Sequence, residues 1–125
     1  ILAHKLGAEK ILAIDNEEWA VKNAAENFSL NNISENYFQI ILGGKKSFGK
    51  EKFNFILANI NKNVLLESML EISLVIKPNG KILMSGFFET DLAELISTAE
   101  KNLISFVRKK ENGKWCSALF QRKDA

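Results

Sequence analysis

Asp15 closes a short apolar run, Lys10-Ile11-Leu12-Ala13-Ile14-Asp15, and Asn16, Glu17 and Glu18 follow before apolar residues recur at helical spacing. An unbroken Ile/Leu/Ala run between polar residues reads as a strand buried on both faces, the signature of a parallel sheet covered by helices. A carboxylate at the carboxyl end of such a strand stands where open α/β sheets bind ligands, and it can accept hydrogen bonds from a ribose diol. The chemistry suggested is the gripping of a nucleoside-bearing cofactor. A second reading stays open at this point: Asp15 caps the next helix, with Asn16 as a competing cap and Glu17 and Glu18 set against the positive end of its dipole. Two later strand ends also carry small or polar residues. Leu42 is followed by Gly43-Gly44, which could serve as a close-approach point or as a plain turn, and Asn59 ends a third apolar run, where it could face a ligand or cap a helix.

The elements that must position these residues alternate. Residues 1–6 read as the end of a helix stopped by Gly7. After the strand at 10–15, Ala20, Val21, Ala24, Ala25 and Phe28 mark a helix that ends near Asn31-Asn32. Trp19 is expected in the core and His4 at the surface. Residues 37–42 and 53–59 are further strands, separated by a polar, loop-like stretch from Lys45 to Lys52. A helix over 62–76 is halted by Lys77-Pro78-Asn79-Gly80 and followed by a strand over 81–86. Asp91 and Glu94 resemble a capping box for a helix that carries Leu92, Leu95, Ile96 and Ala99 on one face. The last segment changes pattern, with strands at 104–111 and 114–121 flanking Asn112-Gly113, a tight-hairpin signal. The fold class expected is α/β, a doubly wound, mostly parallel sheet ending in an antiparallel hairpin.

At 125 residues and 46% hydrophobic, the chain can bury one core and no more. Its net charge of +2 comes from 17 basic and 15 acidic residues that are largely interleaved, so no footprint for nucleic acid or an anionic membrane stands out. The basic tract Arg108-Lys109-Lys110 reads as a solvated strand edge. Cys116 is the only cysteine, which excludes an internal disulfide and a cysteine metal cluster and fits the reducing cytoplasm. No apolar run is long enough for a membrane span, and no metal site is expected.

Several segments taken in order carry a closer likeness. Residues 5–15, Trp19-Ala20-Val21-Lys22-Asn23-Ala24, Glu26-Asn27, Ala58-Asn59-Ile60, residues 74–80, Ser85-Gly86 and Gly113-Lys114-Trp115 together resemble the catalytic domain of the methyltransferase family that modifies large-subunit ribosomal protein eleven. The resemblance implies a Rossmann-like class I methyltransferase fold with S-adenosylmethionine as cofactor and amines of that ribosomal protein as acceptors. It implies that Asp15 grips the ribose, that the Asn16 backbone lines the adenine with Leu42 and Gly43 on its other side, and that Asn59 sits nearest the methyl group. The Asn59 carbonyl would accept a hydrogen bond from the incoming amine and aim its lone pair. Relatives acting on glutamine or nucleobase nitrogens often carry Asn-Pro-Pro-aromatic where this chain has Asn59-Ile60-Asn61-Lys62, which favours a protein amine. Many relatives place an acidic residue after the strand where this chain has Gly43-Gly44-Lys45-Lys46, so ribose recognition is better founded than adenine recognition.

A nucleoside-binding fold of this kind needs a first strand and a glycine-rich turn. Neither is found in the sequence, and residues 1–6 read as the tail of the helix that would follow such a turn. The expectation is that residues 1–125 are the greater part of a catalytic domain whose N-terminal substrate domain, first strand and glycine loop lie upstream. Two alternatives are carried beside it: a non-enzymatic module on a methyltransferase scaffold, and a nicotinamide-dependent dehydrogenase fragment, for which Asp15 is equally suited. The terminal hairpin and the lack of a positioned hydride-transfer partner weigh against the last.

Overall fold

In the computed structural model, which describes residues 1–123, strand and helix alternate as the hydrophobic pattern requires. Residues 1–48 and the residues from 49 onward each build their own sheet and core.

In the first unit a single turn of helix, α1 (Leu2–Lys5), precedes Gly7, whose φ of +109° few side chains tolerate. Strand β1 (Ile11–Asp15) and strand β2 (Phe38–Leu42) run parallel, joined through helix α2 (Glu18–Leu30) and a 3₁₀ turn at Glu35–Tyr37. Phe28 of α2 is the anchor: it is buried and stacks on Phe38 with ring centroids 3.9 Å apart and planes 7° from parallel. Asn32, just past the end of α2, has φ +54°, a conformation asparagine tolerates better than most residues. Strand β1 is half-buried rather than enclosed on both faces, and among the described residues β2 is its one sheet neighbour.

Two expectations fail here. Trp19 is 68% exposed, not core. Helical geometry explains this: with about 3.6 residues per turn, Ala20, Val21, Ala24 and Phe28 share one side of α2 and residue 19 falls on the other. His4 is not solvent-facing but half-buried, its ring set edge-on to Tyr37 at 4.8 Å.

The second unit is a four-stranded sheet in the order β3-β4-β6-β5. Strand β3 (Phe53–Asn59) and strand β4 (Ile76–Phe88) are parallel, linked by helix α3 (Lys62–Val75). Helix α4 (Leu92–Lys101) leads into the antiparallel strands β5 (Ile104–Asn112) and β6 (Trp115–Arg122), with β6 between β4 and β5. Alternation along the strands buries Ala58, Ile82, Met84, Ala118 and Phe120, and the covered sides of α3 and α4 supply Leu65, Met69, Ile72, Leu95 and Ala99. Each large side chain so enclosed contributes about 1.5–3 kcal/mol by burial. The guanidinium of Arg122 donates to the Ser73 carbonyl and ties β6 to the end of α3. On the opposite face Phe55, Leu57 and Leu83 stand exposed.

Local details differ from the sequence reading. Lys77-Pro78-Asn79-Gly80 does not separate α3 from a later strand: α3 stops at Val75 and those residues form an irregularity inside β4, where pairing jumps from Phe53–Ile76 to Phe55–Lys81. Proline, which cannot donate to the ladder, and Asn79 at φ +61° fit such a bulge. Asp91 does not form a capping box on α4. It lies in a 3₁₀ turn, Glu89–Asp91, and its carboxylate turns back to accept the Phe88 N–H at 3.0 Å. The hairpin loop is Gly113-Lys114, one residue later than expected, with Gly113 at φ +62° in the first central position.

Candidate functional site

The expected cofactor residues of the first unit meet at the carboxyl ends of β1 and β2. Asp15 is the last residue of β1 and is paired opposite Leu42, the last residue of β2, so their backbones lie about 4.8 Å apart. The Gly43 N–H donates to the Asp15 carbonyl at 2.9 Å, which carries the pairing one residue past β2. Asp15 Oδ1 accepts the Glu17 N–H at 2.9 Å and fixes the turn that launches α2, whereas the N-cap position itself belongs to Glu17 and has no side-chain cap. Asp15 therefore orders the turn without capping the helix. Its second carboxylate oxygen has no protein partner among the described residues, and the side chain is exposed. Asn16 lies in the same exposed bend, and Leu42 is 54% exposed beside it.

Gly43 is held to glycine by its own surroundings, since a Cβ there would overlap the Ser47 hydroxyl in the 3₁₀ turn Lys45–Ser47. Gly44 has open space around it.

Asn59 belongs to the second unit, at the carboxyl end of β3. The cap of α3 is a different asparagine: Asn61 Oδ1 accepts the Val64 N–H at 3.0 Å. Asn59 is thereby released from that role. Its Oδ1 instead accepts the Ser85 hydroxyl at 3.2 Å across the β3–β4 pair, in which the two residues are direct partners. Next to Ser85 the β4–β6 ladder slips, and Gly86 sits in the slip with φ +88°. A Cβ on Gly86 would lie 2.9 Å from Asn59 Oδ1 and 3.0 Å from the Ile60 carbonyl oxygen.

Gly86 also forms part of the wall of a cavity of about 370 Å³, with Asn61, Lys62, Phe88, Asp91 and Trp115. The Phe88 and Trp115 rings are 4.7 Å apart and both are partly exposed. Lys62 is held between Glu94 at 3.1 Å and Asp91 at 3.8 Å. The hydrogen bond and charge of Glu94, with Asp91 adding to them, raise the Lys62 ammonium pKa above its ordinary 10.5. Lys109 is raised likewise by hydrogen bonds to Glu111 and Glu89, 2.7 and 3.1 Å away. Among the described residues no group of histidine, cysteine and carboxylate side chains could hold a metal ion, and no helix is long and apolar enough to cross a membrane.

The sequence reading missed Asn61 as the cap, the Ser85 contact, and the walls supplied by Phe88 and Trp115. For the Ser85 contact the available signal was Gly86 at the end of an apolar strand run, since a glycine in a strand pattern marks a bulge or a close approach.

Parallel strands alternating with helices and followed by a terminal antiparallel pair make up a class I methyltransferase fold. M. jannaschii TYW2, solved in complex with AdoMet, shares that fold with a TM-score of 0.69 at 18% identity, over 96% of this chain and 60% of its own. The family model described as ribosomal protein L11 methyltransferase (PrmA) matches residues 1–123, and the chain belongs to that family. The Bacteroides thetaiotaomicron ribosomal protein L11 methyltransferase is 38% identical over 121 residues, covering 96% of this chain and 42% of the relative. The crystal structure of the ribosomal protein L11 methylase from Lactobacillus delbrueckii subsp. bulgaricus superposes with a TM-score of 0.90 at 27% identity, over 98% of this chain and 62% of that one. The chain thus spans about two fifths of the length of such curated relatives.

Proposed function

We propose that this chain is the greater part of the catalytic domain of an enzyme that uses S-adenosylmethionine to N-methylate amines of ribosomal protein L11 in the cytoplasm. The observation that carries the reading is the Asn59 amide, free of any capping duty and held at a strand end beside a cavity bordered by Gly86. Family membership supports the cofactor and the acceptor protein.

The residues present fit the cofactor. Asp15 offers one carboxylate oxygen to the ribose hydroxyls while Glu17 N–H holds the other, Leu42 flanks the adenine, and the backbones of Asn16 and Gly43 line it. When bound, S-adenosylmethionine supplies an electrophilic methyl group on a sulfonium. Asn59 accepts an N–H of the neutral acceptor amine and so points the nitrogen lone pair along the line of displacement. Positioning of this kind is worth a large part of the rate, because it replaces a bimolecular encounter by an aligned near-attack geometry.

The same reading places the first strand, the glycine-rich turn and the substrate-recognition domain upstream of residue 1. Two features support it. Among the described residues, strands β1 and β3 each present an unpaired edge, an arrangement proteins usually cover. Phe55 and Leu57, on strand β3 of the parallel β3–β4 pair, are 63% and 67% exposed, an apolar surface of the kind a further element usually covers.

The test is transfer of a labelled methyl group from S-adenosylmethionine to purified L11 by the full-length protein. Label in lysine or terminal amine is expected, and label confined to glutamine, or none with folded enzyme, would refute the assignment.

A further inference from the structure

We infer that Ser85 is a positioning residue for the Asn59 amide, and that Gly86 beside it is the glycine that makes this position available; the inference rests on the role proposed for Asn59. An asparagine side chain at an exposed strand end can rotate about its terminal bond, and exchanging its oxygen and nitrogen would present a donor where an acceptor is needed. Ser85 restrains that rotation. Its hydroxyl donates to Asn59 Oδ1 at 3.2 Å from the directly paired position on β4, an arrangement that sets the oxygen toward β4 and leaves its second lone pair for an incoming amine N–H.

Gly86 provides the room. The oxygen lies where a Cβ on residue 86 would come within 2.9 Å of it, closer than side-chain carbons approach such atoms, and φ +88° at Gly86 is a conformation that L-residues with side chains rarely adopt. The slip in the β4–β6 ladder between Ser85 and Phe87 creates this conformation. It is a bulge used to aim a side chain, a role bulges often play beside active sites. A hydrogen bond and the close approach that the ladder slip imposes at Gly86 thus meet at one oxygen atom.

The experiment uses the full-length protein with L11 as acceptor and compares Ser85→Ala, Ser85→Thr, Asn59→Ala and the Ser85→Ala/Asn59→Ala double variant. Misplacement of a reacting group by about 1 Å can cost ~100-fold, so loss of one of its restraints in Ser85→Ala is expected to lower kcat about 10-fold. The KM for L11 and the Kd for S-adenosylmethionine should stay within about 2-fold, the split expected when an interaction acts on the reacting geometry alone. Ser85→Thr keeps the hydroxyl and should recover most of kcat. In the Asn59→Ala background, Ser85→Ala should cost less than about 2-fold, because residues acting as a unit are non-additive. Unchanged kcat in Ser85→Ala alongside a large loss in Asn59→Ala would overturn the inference and leave the role of Asn59 standing, as would losses that simply multiply. Unchanged kcat in Asn59→Ala would overturn the role of Asn59, and the inference with it.

Discussion

Asn59 and Asn61 stand two residues apart at the start of α3, and exchanging each for alanine should separate a chemical role from a structural one. Asn61→Ala removes the acceptor of the Val64 N–H, a 3.0 Å bond that satisfies one of the donors left open at the helix start. Loss of an asparagine cap costs about 0.5–2 kcal/mol, typically about 1. The value should lie near the middle of that range, because the bond is solvent-exposed while α3 carries Leu65, Met69 and Ile72 into the core, so that fraying at its first turn loosens packed residues. Asn59→Ala removes only an exposed hydrogen bond to Ser85, worth about 0.5 kcal/mol, at the lower end for such bonds. Urea unfolding of the full-length variants measures both changes, and Asn61→Asp, which keeps the capping oxygen, should restore stability. Methyl transfer should show the reverse ranking, with Asn59→Ala strongly impaired and Asn61→Ala close to wild type once folded. A stability loss in Asn59→Ala equal to that in Asn61→Ala, with no excess loss of turnover, would refute the separation.

Other expectations follow from the same geometry. Asp15→Ala should weaken S-adenosylmethionine binding at least 10-fold by calorimetry, since a charge-assisted hydrogen bond is worth about 1.5–3 kcal/mol and every 1.4 kcal/mol is tenfold; unchanged affinity would refute the ribose assignment. The Lys62 pKa is raised in the folded state by Glu94 and Asp91, so the stability this cluster contributes is fully present below 10.5 and is lost as pH rises through the folded value. Urea midpoints followed from neutral pH to above 10.5 should therefore fall less steeply in Lys62→Gln than in wild type. Burial, with a smaller effect of Glu111, pushes the Cys116 thiol up from 9.0, so a thiol reagent at neutral pH should react with it slowly until the protein is unfolded.

The order of elements was legible because hydrophobic periodicity marks it directly: the apolar run before Asp15 and the helical spacing from Ala20 to Phe28 stand where the pattern placed them, and the hairpin turns one residue later, at Gly113-Lys114. What escaped depends on three-dimensional context. Trp19 looked like core because it is large and aromatic, yet the side of a helix a residue occupies is set by its neighbours, and this one lies opposite Phe28. Asp91 carries a cap-forming spacing to Glu94, but the chain makes a 3₁₀ turn first and spends the carboxylate on Phe88 N–H. Asn59 and Asn61 are equally good caps by type, and only the exact start of α3 assigns the duty to Asn61. The partnership of Ser85 with Asn59 is a matter of strand register over 26 residues, which no local pattern encodes.

The central claim is that this chain contributes to an S-adenosylmethionine site, and calorimetric titration tests it most directly. S-adenosylmethionine, with NAD as control, is titrated into the full-length protein and into its Asp15→Ala variant. Saturable binding of S-adenosylmethionine that is weakened in the variant, with no heat from NAD, is the predicted result. NAD binding, or a folded full-length protein that takes up no S-adenosylmethionine, would contradict the account.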